Sequence, residues 1–229
     1  MWREKFVVAG IIAAFGILAM GEVLPARPAG GDVKIAMDRN SGAEATRAFR
    51  FKELPSPVKD DAAAKASLMI VDGEIDGNSA ALSALTDGML PSEEDEPDAN
   101  FFFEQGTWGG RFRMDFGSAI EMAQINTYSW HPNTRGPQVY KVYGSDGTEA
   151  NFNGAPKASV DPASCGWKLI ASVDTRTMFG ENGGQYGVSL TGTGGSLGKY
   201  RYLLFSVFQT EVDDEFGNTF YSEIDVIKK

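Results

Sequence analysis

One histidine serves the whole chain of 229 residues. It is His131, in the stretch "YSWHPNTRGPQVYKVYG" at 128–144, with Trp130 before it and Asn133 and Arg135 after it. The chain also has a single cysteine, Cys165. A thiol nucleophile needs a base to form its thiolate, and His131 is the only imidazole on offer, so a thiol enzyme is disfavoured. "GGSLG" at 194–198 formally fits the G-x-S-x-G elbow. That elbow needs a strand before its serine and a helix after it, and the triad histidine should follow in the chain. Here the strand-like "KYRYLLFSVFQT" follows and the histidine comes earlier, so the stretch reads as a glycine turn. Nor is there a phosphate-binding loop around "GKY", because Thr193 and Tyr200 stand where a glycine and a Ser or Thr are required. Among 31 acidic residues no pair is singled out for glycoside hydrolysis.

Recognition without chemistry fits these residues better. An aromatic ring beside planar donors and acceptors suits a ligand with one apolar face and a hydroxyl-rich edge. Trp130 offers the ring, and His131, Asn133 and Arg135 offer polar groups of fixed geometry. Pro132 and Gly136-Pro137 would stiffen the loop and lower the ordering cost of binding. The alternative is architectural: Trp130 caps a strand end and Arg135 pairs with one of many acids. Other loop aromatics compete for a binding role, namely Trp108, Phe179 and Phe216. Phe216 stands out because an exposed ring in the polar loop "EVDDEFGN" needs a reason.

The elements that must hold these residues are strands. "GGRFRMDFG" alternates cleanly, with Phe112, Met114 and Phe116 on one face and Arg111, Arg113 and Asp115 on the other. "MAQINTYSW" is a second strand that alternates less cleanly, placing Ala123, Ile125 and Thr127 opposite Gln124, Asn126, Tyr128 and Trp130. "SLMIVDG", "ANFFFEQ", "PQVYKVYGSDG", "GWKLIASVDT", "QYGVSLTG", "KYRYLLFSVFQT" and "FYSEIDVIKK" complete the set. With 27 glycines and long loops between strands, the pattern predicts an all-β antiparallel sandwich or jelly roll. Such folds carry function on the loops at their ends.

Composition bounds the partners. A formal net charge of -10 repels phosphate backbones and anionic lipid heads, making nucleic acid and membrane surfaces poor partners. Arg3 and Lys5 precede an uncharged apolar run over 6–21, short for a membrane span, which ends in "AMG". This predicts a secretory signal over 1–21, cleaved near Gly21, and therefore an exported protein. The alternative is an uncleaved anchor, the one route by which the chain would meet a membrane. A spacer over 22–44, with a short strand at 33–37, leads into a domain over 45–229. One cysteine allows no internal disulfide, so stability must come from burial, with or without a bound ion.

In order along the chain, "LTDG" at 85–88, "WGGRFRMDFG" at 108–117, "INTYSWHPNTRGPQVYKVYGSDG" at 125–147 and "FYSEIDVI" at 220–227 resemble the discoidin, or coagulation-factor type C, domain. That group includes the family-32 carbohydrate-binding modules and has the galactose-binding-like fold. The resemblance spans about 45–229. It implies an eight-stranded jelly roll, a non-catalytic role, a glycan held on end loops and a structural Ca2+. The family's ion ligands fall on Asp87 and Glu223, together with loop carbonyls; "MLPSEEDEPDAN" departs from the family's short threonine loop. The acidic run over 93–98 lacks EF-hand spacing and reads as a solvated loop. The leading expectation is an exported glycan-binding module, with Trp130, His131, Asn133, Arg135 and Phe216 as contacts. An envelope adhesion domain binding another protein is the second expectation, and a hydrolase a distant third.

Overall fold

The computed structural model describes residues 33–210 and 217–229. The expected leader over 1–21, residues 22–32 of the expected spacer, and Phe216 lie outside the described residues. Among the described residues eight strands carry the structure: β1 Val33–Asn40, β2 Ser67–Asp72, β3 Gly109–His131, β4 Val139–Ser145, β5 Lys168–Asp174, β6 Gly184–Gly192, β7 Gly198–Phe208 and β8 Tyr221–Lys228. All pairings are antiparallel. The fold is the all-β sandwich that the alternation predicts. β1 lies in the stretch read as spacer, longer than the short strand expected at 33–37, and pairs with β6 over its full length, so residues 33–40 belong to the sheet.

β3 joins the two layers. The segments "GGRFRMDFG" and "MAQINTYSW", read as separate strands, form one 23-residue strand. Its first half pairs with β2 and β7, and its second half with β6 and β8. The register with β7 breaks between Asp115 and Ile120, where Gly117 has φ +75°. A bend at a residue free to adopt positive φ lets one strand change layers. One layer is therefore β2, β3, β7, β4 and β5, and the other is β1, β6, β3 and β8. Phe112, Met114, Ile125, Val142, Val188, Leu203, Phe205, Ile224 and Val226 fill the space between them.

The outer faces are covered as well. Residues 146–165, which show no repeating pattern, fold over the first layer. Arg111 donates to the carbonyls of Pro156, Lys157 and Val160 at 2.6–3.0 Å. Trp167, Tyr143 and Leu204 form a second apolar cluster beneath this loop, with Phe152 packed against it. On the other layer, Phe49 covers Tyr128 and Trp130. A bulge in β8 at Ser222 puts Tyr221 into the core while Glu223 and Asp225 stay on the opposite face. A plain alternation would have placed all three together.

Candidate ligand-binding site

His131 is the last residue of β3, and the 132–138 loop leads from it to β4. Buried polar groups fix the base of this loop. Ser129 Oγ donates to the Gly136 carbonyl at 2.6 Å, and Gln138 Nε2 donates to Ser129 Oγ at 3.1 Å. Thr175 Oγ1 accepts from the Gln138 N–H at 2.9 Å. A Cβ at Gly136 would lie 2.9 Å from the Gly184 carbonyl oxygen, so the turn needs glycine there. A loop tied at its base by satisfied buried bonds is ordered before any ligand arrives.

Phe220, at the entry to β8, organises the site. Its ring stacks on Phe102 at 4.0 Å and 9°, and the His131 ring meets it edge-on at 4.5 Å. The Arg135 guanidinium lies 4.1 Å from the Phe220 centroid and 4.6 Å from that of Phe102, and its Nε donates to the Asn218 carbonyl at 3.1 Å. His131, Asn133 and Arg135 border a cleft of about 380 Å³ with Asp76, Asn78, Asp95 and Gln105. The structure thus unites three of the five expected contacts. Phe102, Phe220 and Asp76 were not anticipated. Phe102 reads only as one of three consecutive core phenylalanines, and nothing local marks its stacking partner 118 positions on. Asp95 belongs to the run read as a solvated loop, yet it borders the cleft, with Oδ1 3.8 Å from His131 Nε2.

Trp130 is not part of this cleft. It is 6% exposed, and its ring packs against Phe49 at 5.7 Å and 89°. Neighbours on a strand point to opposite faces, so one residue pair cannot supply both Trp130 and His131 to one ligand. The architectural alternative describes Trp130. Phe179 is half-buried against Tyr186, and Phe216 lies outside the described residues.

Burial, then the nearby Arg135 charge, lower the His131 pKa to about 4, against the opposing pull of Asp95. The ring is neutral at pH 7. Nδ1 accepts from the Asn133 N–H at 3.3 Å, which leaves the proton on Nε2, on the side of Asp95 and the cleft. The unfolded chain takes up this proton near pH 6.5. Between about pH 6.5 and 4 the unfolded state therefore holds more protons, and stability falls as pH falls, by about 1.4 kcal/mol per pH unit for one group. The raised carboxyls of Glu223 and Asp225 act in the opposite direction in this window but equally in both proteins, so urea melts should give slopes that differ between wild type and His131→Gln by about that amount. Equal slopes in both would remove His131 as the cause.

The expected ion ligands meet at Gly88. Its N–H donates to Glu223 Oε2 at 2.9 Å, and Asp87 Oδ1 accepts from the Met89 N–H at 2.8 Å. Asp87 is exposed, whereas Glu223 is 1% exposed and its Oε1 has no hydrogen-bond partner. Burial and the adjacent Asp225, with smaller pushes from Asp87 and Asp61, raise the Glu223 carboxyl to about 9 against the Gly88 N–H. An orphaned buried carboxylate oxygen fits a cation. Among the described residues no group of three or more His, Cys, Asp or Glu surrounds the position. Any ligands beyond Asp87 and Glu223 would be carbonyls or water, which Ca2+ accepts.

No protein-family model matches the chain, and no curated protein matches it. Similar solved structures include a Ruminococcus gnavus GH29 fucosidase in complex with fucose (16% identity, 75% of this chain and 27% of that chain, TM-score 0.45). They also include a CBM32 module, CpGH89CBM32-4, produced by Clostridium perfringens (12% identity, 73% and 98%, TM-score 0.43). A third is chitosan-binding module 2, in complex with chitotriose, of a chitosanase/glucanase from Paenibacillus sp. IK-5 (12% identity, 73% and 99%, TM-score 0.46). The chain spans just over a quarter of the GH29 chains and nearly the whole of the separate modules. These likenesses are of fold alone.

Proposed function

We propose that the chain is an exported, non-catalytic carbohydrate-binding module, stabilised by Ca2+ at Asp87 and Glu223. The observation that carries the binding role is the pre-ordered cleft in which a neutral imidazole, an amide and a stacked guanidinium converge. Sugar hydroxyls both donate and accept. Arg135 supplies donors only, His131 a single Nε2–H, Asp76 and Asp95 acceptors, and Asn78, Asn133 and Gln105 both kinds. Planar groups whose rotamers are held by neighbours lose little entropy on binding. Export rests on the apolar run over 6–21 behind Arg3 and Lys5. Ca2+ would neutralise the buried Glu223 carboxylate and clamp the 87–88 turn to β8.

A glycan array probed with the purified protein tests this reading. Retention on a defined set of sugars is expected, weakened about tenfold or more by Asn133→Ala, with the bound glycan recovered intact. Release of cleaved sugar would replace the module with a hydrolase. Retention unaffected by Asn133→Ala would move binding away from this cleft.

A further inference from the structure

The first cleft lacks one part of a sugar site. Among the described residues its bordering rings, Phe102 and Phe220, are 1% exposed and so offer no platform. A platform lies next door. Trp108 is 38% exposed on the wall of a second cleft of about 410 Å³, bordered also by Asp72, Glu74, Glu104, Thr107 and Lys157. The turn over 104–108 divides the two clefts, with Gln105 on one side and Glu104, Thr107 and Trp108 on the other.

This turn is held firmly. The Glu104 N–H donates to the Glu74 carbonyl at 2.8 Å, and Thr107 Oγ1 donates to the Glu104 carbonyl at 2.7 Å. A Cβ at Gly109 would lie 2.3 Å from the Val207 carbonyl oxygen, so the chain after Trp108 sits directly on β7. The ring rests beside Phe208 at 6.1 Å. Asn218, buried between the clefts, serves both. Its carbonyl accepts from Arg135 Nε at 3.1 Å, and its side-chain amide donates to the Glu104 carbonyl at 2.6 Å.

We propose that Trp108 is the platform of a second sugar subsite, so that a glycan of two or more units crosses the 104–108 turn from one cleft to the other. The indole takes the apolar C–H face of one unit while the first cleft binds the hydroxyls of another. This inference rests on the carbohydrate-binding reading of the first cleft. The charge beside Trp108 narrows the class. Among the described residues the carboxylates of Glu74 and Glu104 are exposed with no ion pair, and the one cation of the cleft, Lys157, is already paired with Asp72, Nζ 3.9 Å from Oδ1. Neutral or amine-bearing units fit there, and uronates are repelled.

Acrylamide quenching of tryptophan fluorescence tests the subsite, because Trp130 and Trp167 are buried. The probes are glucosamine, a β-1,4-linked glucosamine trimer and a galacturonate trimer. The glucosamine trimer is expected to shield the component of the signal that Trp108→Ala removes. Trp108→Ala should weaken the glucosamine trimer about tenfold, and the trimer more than the monomer, with Trp108→Phe retaining most of the affinity. Failure of the glucosamine trimer to shield Trp108, or its equal binding by wild type and Trp108→Ala, overturns the subsite. Equal shielding by the galacturonate trimer overturns the charge selection. Asn133→Ala separates the two readings. If it leaves the glucosamine trimer untouched while Trp108→Ala weakens it, the first cleft fails and the Trp108 subsite stands alone.

Discussion

Arg135→Ala should reduce glycan affinity at least a hundredfold and lower the melting temperature in the same protein. The guanidinium lies over Phe220 at 4.1 Å and over Phe102 at 4.6 Å, and donates to the Asn218 carbonyl. A desolvated cation–π contact contributes about 1–2 kcal/mol. A hydrogen bond from a charged group contributes roughly 1.5–3 kcal/mol. Truncation removes both and uncovers part of the phenylalanine pair, so a loss of about 2–4 kcal/mol is expected. For a chain of this size that corresponds to roughly 5–15 °C in melting temperature. The conservative variant separates the two roles. Lysine keeps the charge but has neither the planar face that stacks nor the fork that spans two hydroxyls. Arg135→Lys should therefore recover part of the stability and little of the affinity. Calorimetry and a binding titration on the two variants give the answer. Full affinity in Arg135→Lys would show that only charge is needed there and would remove the planar-recognition argument.

Why part of this site can be read from the chain and part cannot is visible in β3. Phe112 and Met114 alternate with Arg111 and Arg113, and the apolar pair enters the core as period two requires. The arginine side is where local reading stops. Arg111 is buried because residues 146–165, more than thirty positions away, fold over it. The same reason governs Trp130. Its place beside His131 is a fact of the chain, but its burial depends on Phe49, brought over from the segment before β2. His131, Asn133 and Arg135 could be found because one stiff loop holds them together. Phe102 and Phe220 could not, because a stacking contact between two strand ends leaves no local pattern. The β8 bulge shows the limit in a single residue. One extra position at Ser222 separates Tyr221 from Glu223 and Asp225, and no composition rule announces it. The pairing of Asp87 with Glu223 is what the resemblance implies, and the structure leaves Glu223 Oε1 without a hydrogen-bond partner.

That oxygen leads to the second large effect. Calcium should raise the melting temperature of the wild type, and Glu223→Gln should abolish the response. Burying a carboxylate with one unpaired oxygen is costly, and the neighbouring Asp225 adds like-charge repulsion. Without a cation the folded protein must keep Glu223 protonated or bear that cost. With Ca2+ bound, the charge is balanced and the ion's preference for the folded state adds to stability. At a hundredfold excess over its dissociation constant, an ion that binds only the folded chain contributes about 2.7 kcal/mol. That is roughly 5–10 °C for a domain of this size. Glutamine retains the acceptor for the Gly88 N–H and removes the charge that needs balancing. Glu223→Gln should thus melt at the same temperature in calcium and in chelator, at or above the wild type in chelator. Asp87→Asn should shrink the calcium shift without changing the melt in chelator, because Asp87 is exposed and its Oδ1 bond to the Met89 N–H survives the change. A wild type that melts identically with calcium and with chelator would leave Glu223 as a buried protonated acid with no ion to serve. A calcium shift that persists in Glu223→Gln would place the ion elsewhere on the sandwich.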